Sequence, residues 1–191
     1  MHSSASASPD PVTQGSPLAS PRNVAFAASF ASVLVLDVVT KRWAEAALAL
    51  HVPVEVVGRT LRWTLTYNTG AAMSISVGEL SRPFFSIVAI GMVIYLLVLL
   101  RQSPPQSRGV PLALGLLTAG AVGNLIDRLR HDRGVVDFID VGTASWRFWT
   151  FNVADIGVSC GAALLALLLW REDRAAGTLQ ATTPPPESTD R

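Results

Sequence analysis

Cysteine, lysine and histidine are nearly missing from this chain of 191 residues: it has one cysteine, one lysine and three histidines. Cys160 lies inside an apolar run, which excludes a disulfide framework and a cysteine-based zinc set and makes a small buried apolar role its expected one. His2, His51 and His131 are scattered, with no two at metal-ligand spacing, so neither a metal nor another cofactor is expected. Charge is sparse as well. Asp, Glu, Lys and Arg make up 15% of the residues and balance to +1, which gives no reason to expect a nucleic-acid partner. Half the residues are hydrophobic, too many for an ordinary soluble domain of this length.

The apolar residues are gathered into four runs. Residues 1–21 are rich in Ser, Ala and Pro and predict a disordered tail. They lack the basic start and apolar centre of a signal peptide. From Val24 to Val39 the chain is nearly unbroken apolar sequence, interrupted by Ser29, Ser32 and Asp37, and extended to Trp43 as a helix it spans about 30 Å, enough to cross a bilayer. Pro83–Leu100, Val110–Ile126 and Val153–Trp170 predict three more such helices. Pro83 suits a first helical turn, and Gly115, Ala119, Gly120 and Gly123 permit close packing of the third helix. Residues 44–82 form a long connection in which Val52–Val57 and Thr60–Thr66 alternate like strands about Gly58-Arg59. Asn68 and Gly70 fall in a turn-like stretch after them. Residues 175–191 return to Thr, Pro and charge and predict a second disordered tail. The expected architecture is an all-α integral membrane protein: four transmembrane helices over residues 22–174, with a small β-rich platform at 44–82.

Four spans put both termini on one side. Asp37, Lys41, Asn68, Asn124, Asp127, Arg128, Asp137, Asn152 and Asp155 then all fall at the opposite face. Beyond Asp155 the fourth helix carries little polar except Ser159, so the site is interfacial and does not resemble a transport path at the midplane. A channel or scaffold without enzymatic activity is the alternative, and a channel would need polar residues along several helices. Charge counting sets six cations on the terminal side against nine on the other, and by itself it places the site in the cytoplasm.

A carboxylate beside lipid-soluble sequence is costly and needs an explanation. Asp137 sits between Val136 and Phe138, and Asp155 precedes a long apolar run. Without metal ligands or an evident nucleophile, two such groups suggest an aspartyl pair: one protonated acid, one ionised base acting on water. A Ser–Lys pair is the competing chemistry. Lys41, however, has Asp37 four residues earlier on its own helical face, which keeps it charged and a poor base.

Five blocks carry a family resemblance: Asp37-Val38-Val39-Thr40-Lys41, Asn68-Thr69-Gly70-Ala71-Ala72-Met73-Ser74, Gly120 through Arg128, Val135-Val136-Asp137-Phe138, and Phe151-Asn152-Val153-Ala154-Asp155. In this order, over Val24 to Trp170, they resemble lipoprotein signal peptidase, the bacterial signal peptidase II. The resemblance implies an inner-membrane aspartyl endopeptidase that removes the signal peptide of a prolipoprotein before its diacylglyceryl-modified cysteine. Asp137 and Asp155 are then the catalytic pair. Asn68, Gly70, Asn124, Arg128 and Asn152 line the substrate site, and Asp37 and Lys41 hold its architecture. Asp127, next to Arg128, is a structural partner. The resemblance also implies cytoplasmic termini, a site at the periplasmic face, membrane lipid as surroundings, a monomer, and inhibition by globomycin-type cyclic peptides. The chain departs from the family's common pattern at Ala119, where a glycine is usual, and at Met73, where Phe is usual.

Overall fold

The computed structural model describes residues 20–70, 78–130 and 132–182. The block Ala71-Ala72-Met73-Ser74, residues 1–19 of the expected N-terminal tail and 183–191 of the C-terminal one lie outside the described residues. In order, the elements are α1 (Pro21–Ala47), β1 (Val54–Val57), β2 (Leu61–Asn68), a short 3-10 turn (Gly78–Leu80), α2 (Ser81–Gln102), α3 (Gly109–Arg130), β3 (Val135–Val141) and α4 (Val153–Thr182). All four helices are long and apolar enough to cross a membrane. Where a tail was expected from residue 175, α4 continues to Thr182. The segment Ala175 to Thr182 holds no Pro before 184, and its one glycine is tolerated in a helix already nucleated.

Each helix begins and ends for local reasons. Ser20 caps α1, its hydroxyl accepting the Asn23 N–H, and Pro21 follows at a position where its missing N–H costs nothing. Pro83 likewise falls in the first turn of α2. The last turn of α3 carries Arg128 and Arg130, favourably placed against its negative end.

The central helix is α3, which packs against α1, α2 and α4. Its small residues make that possible. A Cβ at Gly120 would stand 2.4 Å from the Ala154 carbonyl oxygen, so the α3–α4 approach at this point requires glycine. By contrast, α2 exposes Ile87, Ile94 and Tyr95, side chains that a bilayer would cover.

At the end of the bundle opposite the termini lies an antiparallel sheet of order β1-β2-β3. The platform was expected from residues 44–82, and both strands foreseen there form, as Val54–Val57 and Leu61–Asn68. The third strand comes from the other end of the chain. β3 pairs with β2 so that Asn68 faces Val135, Thr66 faces Asp137 and Arg62 faces Asp140. Beneath it Ala44, Leu65, Val136 and Phe138 form a buried cluster that seats the sheet on the end of α1. Trp43, Trp63 and Phe138 meet there with ring centroids 5.6–6.1 Å apart. The turn into β3 uses Gly134 at φ +97°, where a Cβ would lie 2.3 Å from the Asn68 carbonyl oxygen. That turn brings the start of β3 against the end of β2 and fixes which face Asp137 occupies.

Candidate active site

Strand geometry sorts the residues of β3. Side chains alternate, so Val136 and Phe138 enter the cluster below while Val135 and Asp137 turn to the other face. There they line a cavity of about 540 Å³. Its walls come from the end of β2 (Thr66 to Gly70), α3 (Asn124, Arg128), the segment Phe148–Phe151 and the first turns of α4 (Asp155, Val158, Ser159).

Asp155 is placed by the start of α4. Asn152 caps that helix, its side-chain oxygen accepting the Asp155 N–H at 2.9 Å. Asp155 reciprocates, one carboxylate oxygen accepting the Asn152 N–H at 3.1 Å. Its other oxygen accepts from Asn124 Nδ2 at 2.9 Å. The Asn152 amide nitrogen donates to Asp137 Oδ1 at 2.7 Å, to Asn124 Oδ1 at 3.1 Å and to the Val136 carbonyl at 3.2 Å. Asn152 is fully buried and stands between the two acids. The side chain of Asn68 also hydrogen-bonds Asp137.

Burial pushes the Asp137 carboxyl up to about 7, and the negative charge of Asp155 adds to the rise. Hydrogen bonds from Asn152 and Asn68 and the positive charge of Lys41 oppose it without prevailing. Near neutral pH this pair therefore holds a proton that an isolated aspartate would have lost.

A second polar layer lies behind the first. Lys41 Nζ is 2.7 Å from Asp37, 2.8 Å from Asp127 and 2.9 Å from Asn124 Oδ1, and all three charged side chains are buried. Asp37 accepts the Ala154 N–H at 2.8 Å, one of the donors that the first turn of α4 leaves unpaired. Asp127 accepts the Val136 N–H at 3.2 Å. One lysine thus ties α1 to α3, and its carboxylate partners hold β3 and α4, the elements that bear Asp137 and Asp155. Asp127, expected as structural support, finds its ion-pair partner in Lys41, across the helix interface. The polar contacts of Lys41 are thus two carboxylates and an amide, Asp37, Asp127 and Asn124. The Arg128 guanidinium donates to the carbonyl oxygens of Gly70 (3.0 Å) and Asn124 (3.2 Å) and so holds the end of β2 against the cavity.

All ten residues singled out from the sequence meet at this end of the bundle: Asp37, Lys41, Asn68, Gly70, Asn124, Asp127, Arg128, Asp137, Asn152 and Asp155. Missed were Thr66, Tyr67 and the segment Phe148–Phe151, which supply much of the cavity wall. The aromatic run Trp146 to Phe151 was the available signal. Among the described residues no three His, Cys, Asp or Glu side chains are grouped so as to hold a metal ion.

Residues 29–171 match the signal peptidase (SPase) II family. The chain belongs to that family. Signal peptidase II membership makes it a peptidase and a hydrolase, and its four apolar helices fit a multi-pass membrane protein of that kind. It is 42% identical over 137 residues to the lipoprotein signal peptidase of Hydrogenovibrio crunogenus, covering 71% of this chain and 78% of the relative. It is 40% identical over 149 residues to that of Ectopseudomonas mendocina, covering 75% and 86%. Two solved structures of bacterial membrane enzymes share the fold. One has a TM-score of 0.69 at 30% identity, over 87% of this chain and 94% of its own. The other has a TM-score of 0.67 at 32% identity, over 75% and 91%.

Proposed function

We propose that this signal peptidase II is an aspartyl endopeptidase that removes signal peptides from prolipoproteins, cutting before the diacylglyceryl-modified cysteine. The observation that carries this reading is the pair itself. Asp137 and Asp155 line one cavity, joined by neutral amides, at one end of four membrane-length helices.

The two acids divide the work by environment. Asp155 lies at the positive end of α4 and accepts two N–H groups, so it is the better site for the negative charge. Asp137 is buried and holds its proton near neutral pH. In the proposed reaction Asp155 takes a proton from water as the water oxygen attacks the scissile carbonyl carbon. Asp137 gives its proton to the carbonyl oxygen, forming a tetrahedral gem-diol. As that intermediate collapses the C–N bond breaks, a proton passes from Asp155 to the departing amine, and a gem-diol hydroxyl returns its proton to Asp137, leaving the new carboxyl group and the starting pair. Asn152 keeps both carboxylates in register throughout, and Arg128 with Asn68 and Gly70 shapes the side of the cavity along which the peptide lies.

The substrate's lipid and its apolar signal helix are both soluble in the bilayer, so a cavity at the membrane boundary suits them. We assign the termini to the cytoplasm and the site to the extracytoplasmic face of the bacterial inner membrane, following the family resemblance over the plain charge count. The enzyme is taken to act as a monomer, and globomycin-type cyclic peptides are expected to occupy the same cavity. The test is cleavage of a synthetic diacylglyceryl prolipoprotein by the purified enzyme in detergent or lipid. Release of a lipid-modified product beginning at cysteine is the expected result. No cleavage, or cleavage that persists in Asp155→Asn, would sink the proposal.

A further inference from the structure

Asp140 is buried at 4% exposure, three residues along β3 from Asp137, and outside the catalytic cluster. Four donors converge on its carboxylate. Arg62 gives two, Nε at 3.0 Å and Nη2 at 2.9 Å, and Thr64 gives its hydroxyl at 2.9 Å, all to Oδ2. Arg147 Nε binds Oδ1. The rest of the Arg147 guanidinium donates to the carbonyl oxygens of Asp140 (2.9 Å) and of Arg59 in the β1–β2 turn (2.8 Å).

Arg147 stands at the root of a strap that leaves β3 and folds back along it. The Phe148 N–H donates to the Val141 carbonyl at 2.8 Å, and Phe151 exchanges backbone bonds with Ile139 at 2.8 and 3.0 Å. Further along, the Thr150 hydroxyl meets that of Thr66 at 2.8 Å. Between these fastenings lie Phe148 and Trp149, about half exposed and lining the cavity. A buried ion cluster contributes little net stability compared with apolar packing of the same volume. What this cluster supplies is fixed geometry: two planar guanidinium forks on one carboxylate leave the strap a single arrangement.

We infer that Asp140 is a positioning residue, which through Arg147 holds Phe148 and Trp149 as the aromatic wall of the cavity and so sets the grip on the apolar part of the substrate. Burial alone would raise this carboxyl, but the bonds from Arg147, Thr64 and Arg62 outweigh it and hold the group below the usual carboxylate range. The clamp carboxylate is therefore ionised at neutral pH.

The inference rests on the peptidase reading, and the experiment separates the two. Wild type, Asp140→Asn, Thr64→Val and Asp137→Asn are compared on the diacylglyceryl prolipoprotein, with kcat and KM measured apart. An inactive wild type removes the peptidase reading itself. With an active wild type, Asp140→Asn is expected to raise KM about tenfold while kcat stays within about twofold. Thr64→Val, which removes one neutral bond and no charge, is expected to raise KM about threefold and carries the test if Asp140→Asn fails to fold. Trypsin provides a readout independent of turnover. Cleavage after Arg147 should accelerate about tenfold in Asp140→Asn, with arginines outside the clamp (all but Arg59, Arg62 and Arg147) cut no faster. An unchanged KM with an unchanged Arg147 cleavage rate overturns the inference. So does a loss confined to kcat, which would move Asp140 into the chemistry.

Discussion

Two pairs of carboxylates meet at this end of the bundle, and they are bridged in opposite ways. Asp37 and Asp127 share a cation, Lys41. Asp137 and Asp155 share neutral amides, Asn152 and Asn124. A lysine between two carboxylates cancels most of the charge, and each carboxylate also accepts a backbone N–H, Asp37 from α4 and Asp127 from β3. That layer ties α1 to α3 and holds β3 and α4, and so serves as a frame. An amide between two carboxylates fixes their positions and cancels nothing, so the pair must keep a proton. The two buried pairs differ in the charge of the group that bridges them.

The sharpest way to break the contrast is to remove an acid from the amide-bridged pair. Asp137→Asn and Asp155→Asn should each reduce kcat for prolipoprotein cleavage by at least about 10³-fold while the protein still folds, as judged by turnover and by thermal unfolding in detergent. The reverse perturbation strikes the frame. Lys41→Met leaves Asp37 and Asp127 buried without their cation and should cost about 3–5 kcal/mol of stability, read as a large fall in melting temperature or in yield of folded protein. A Lys41→Met enzyme that melts like wild type would show that the cation is dispensable.

A smaller effect concerns pH. The acid role requires Asp137 to be protonated, so kcat should hold below its value of about 7 and fall about tenfold per unit above it. Activity rising steadily to pH 9 would contradict the assignment. The smallest effect has the opposite sign from ordinary mutational damage. The folded-state value of Asp137 lies above its ordinary 3.8, so between about 4 and 7 the folded protein binds a proton that the unfolded chain has lost. Stability is therefore lost as pH rises through that window, by at most about 4 kcal/mol. Asparagine carries no such cost. Asp137→Asn should melt roughly a few degrees above wild type at pH 8, and the gap should close near pH 4.

The aromatic strap sharpens the comparison from a third side. Asp140 lies on the same strand as Asp137 and is also buried, yet it accepts from two arginines. Two acids three residues apart on one strand thus shift in opposite directions: burial and the charge of Asp155 raise Asp137, while bonds from Arg147, Thr64 and Arg62 outweigh burial and lower Asp140.

The sequence by itself determined the parts that depend on short range. Runs of about 20 apolar residues can do little else than span a bilayer, and parity then brings the polar blocks to one face. The start of the second helix followed from Pro83, because a first-turn proline is a local signal, whereas Ser20 and Pro21, read as tail, proved to cap and open α1. Val135–Val141 was not legible as a strand. Its residues are buried on both faces, so the alternation that marks a half-exposed strand is missing. Its partner β2 lies about 70 residues earlier, beyond the reach of any local pattern. For the same reason the strap and Asp140 stayed invisible, since Arg62, Arg59 and Arg147 come together only once β2 and β3 pair. Sequence placed Asp37 and Lys41 on one helical face but could not supply Asp127 as the second partner. Only the tertiary structure decided which bridge each acid pair received, because a buried charge answers to the groups within a few ångströms of it, and those groups arrive from distant segments of the chain.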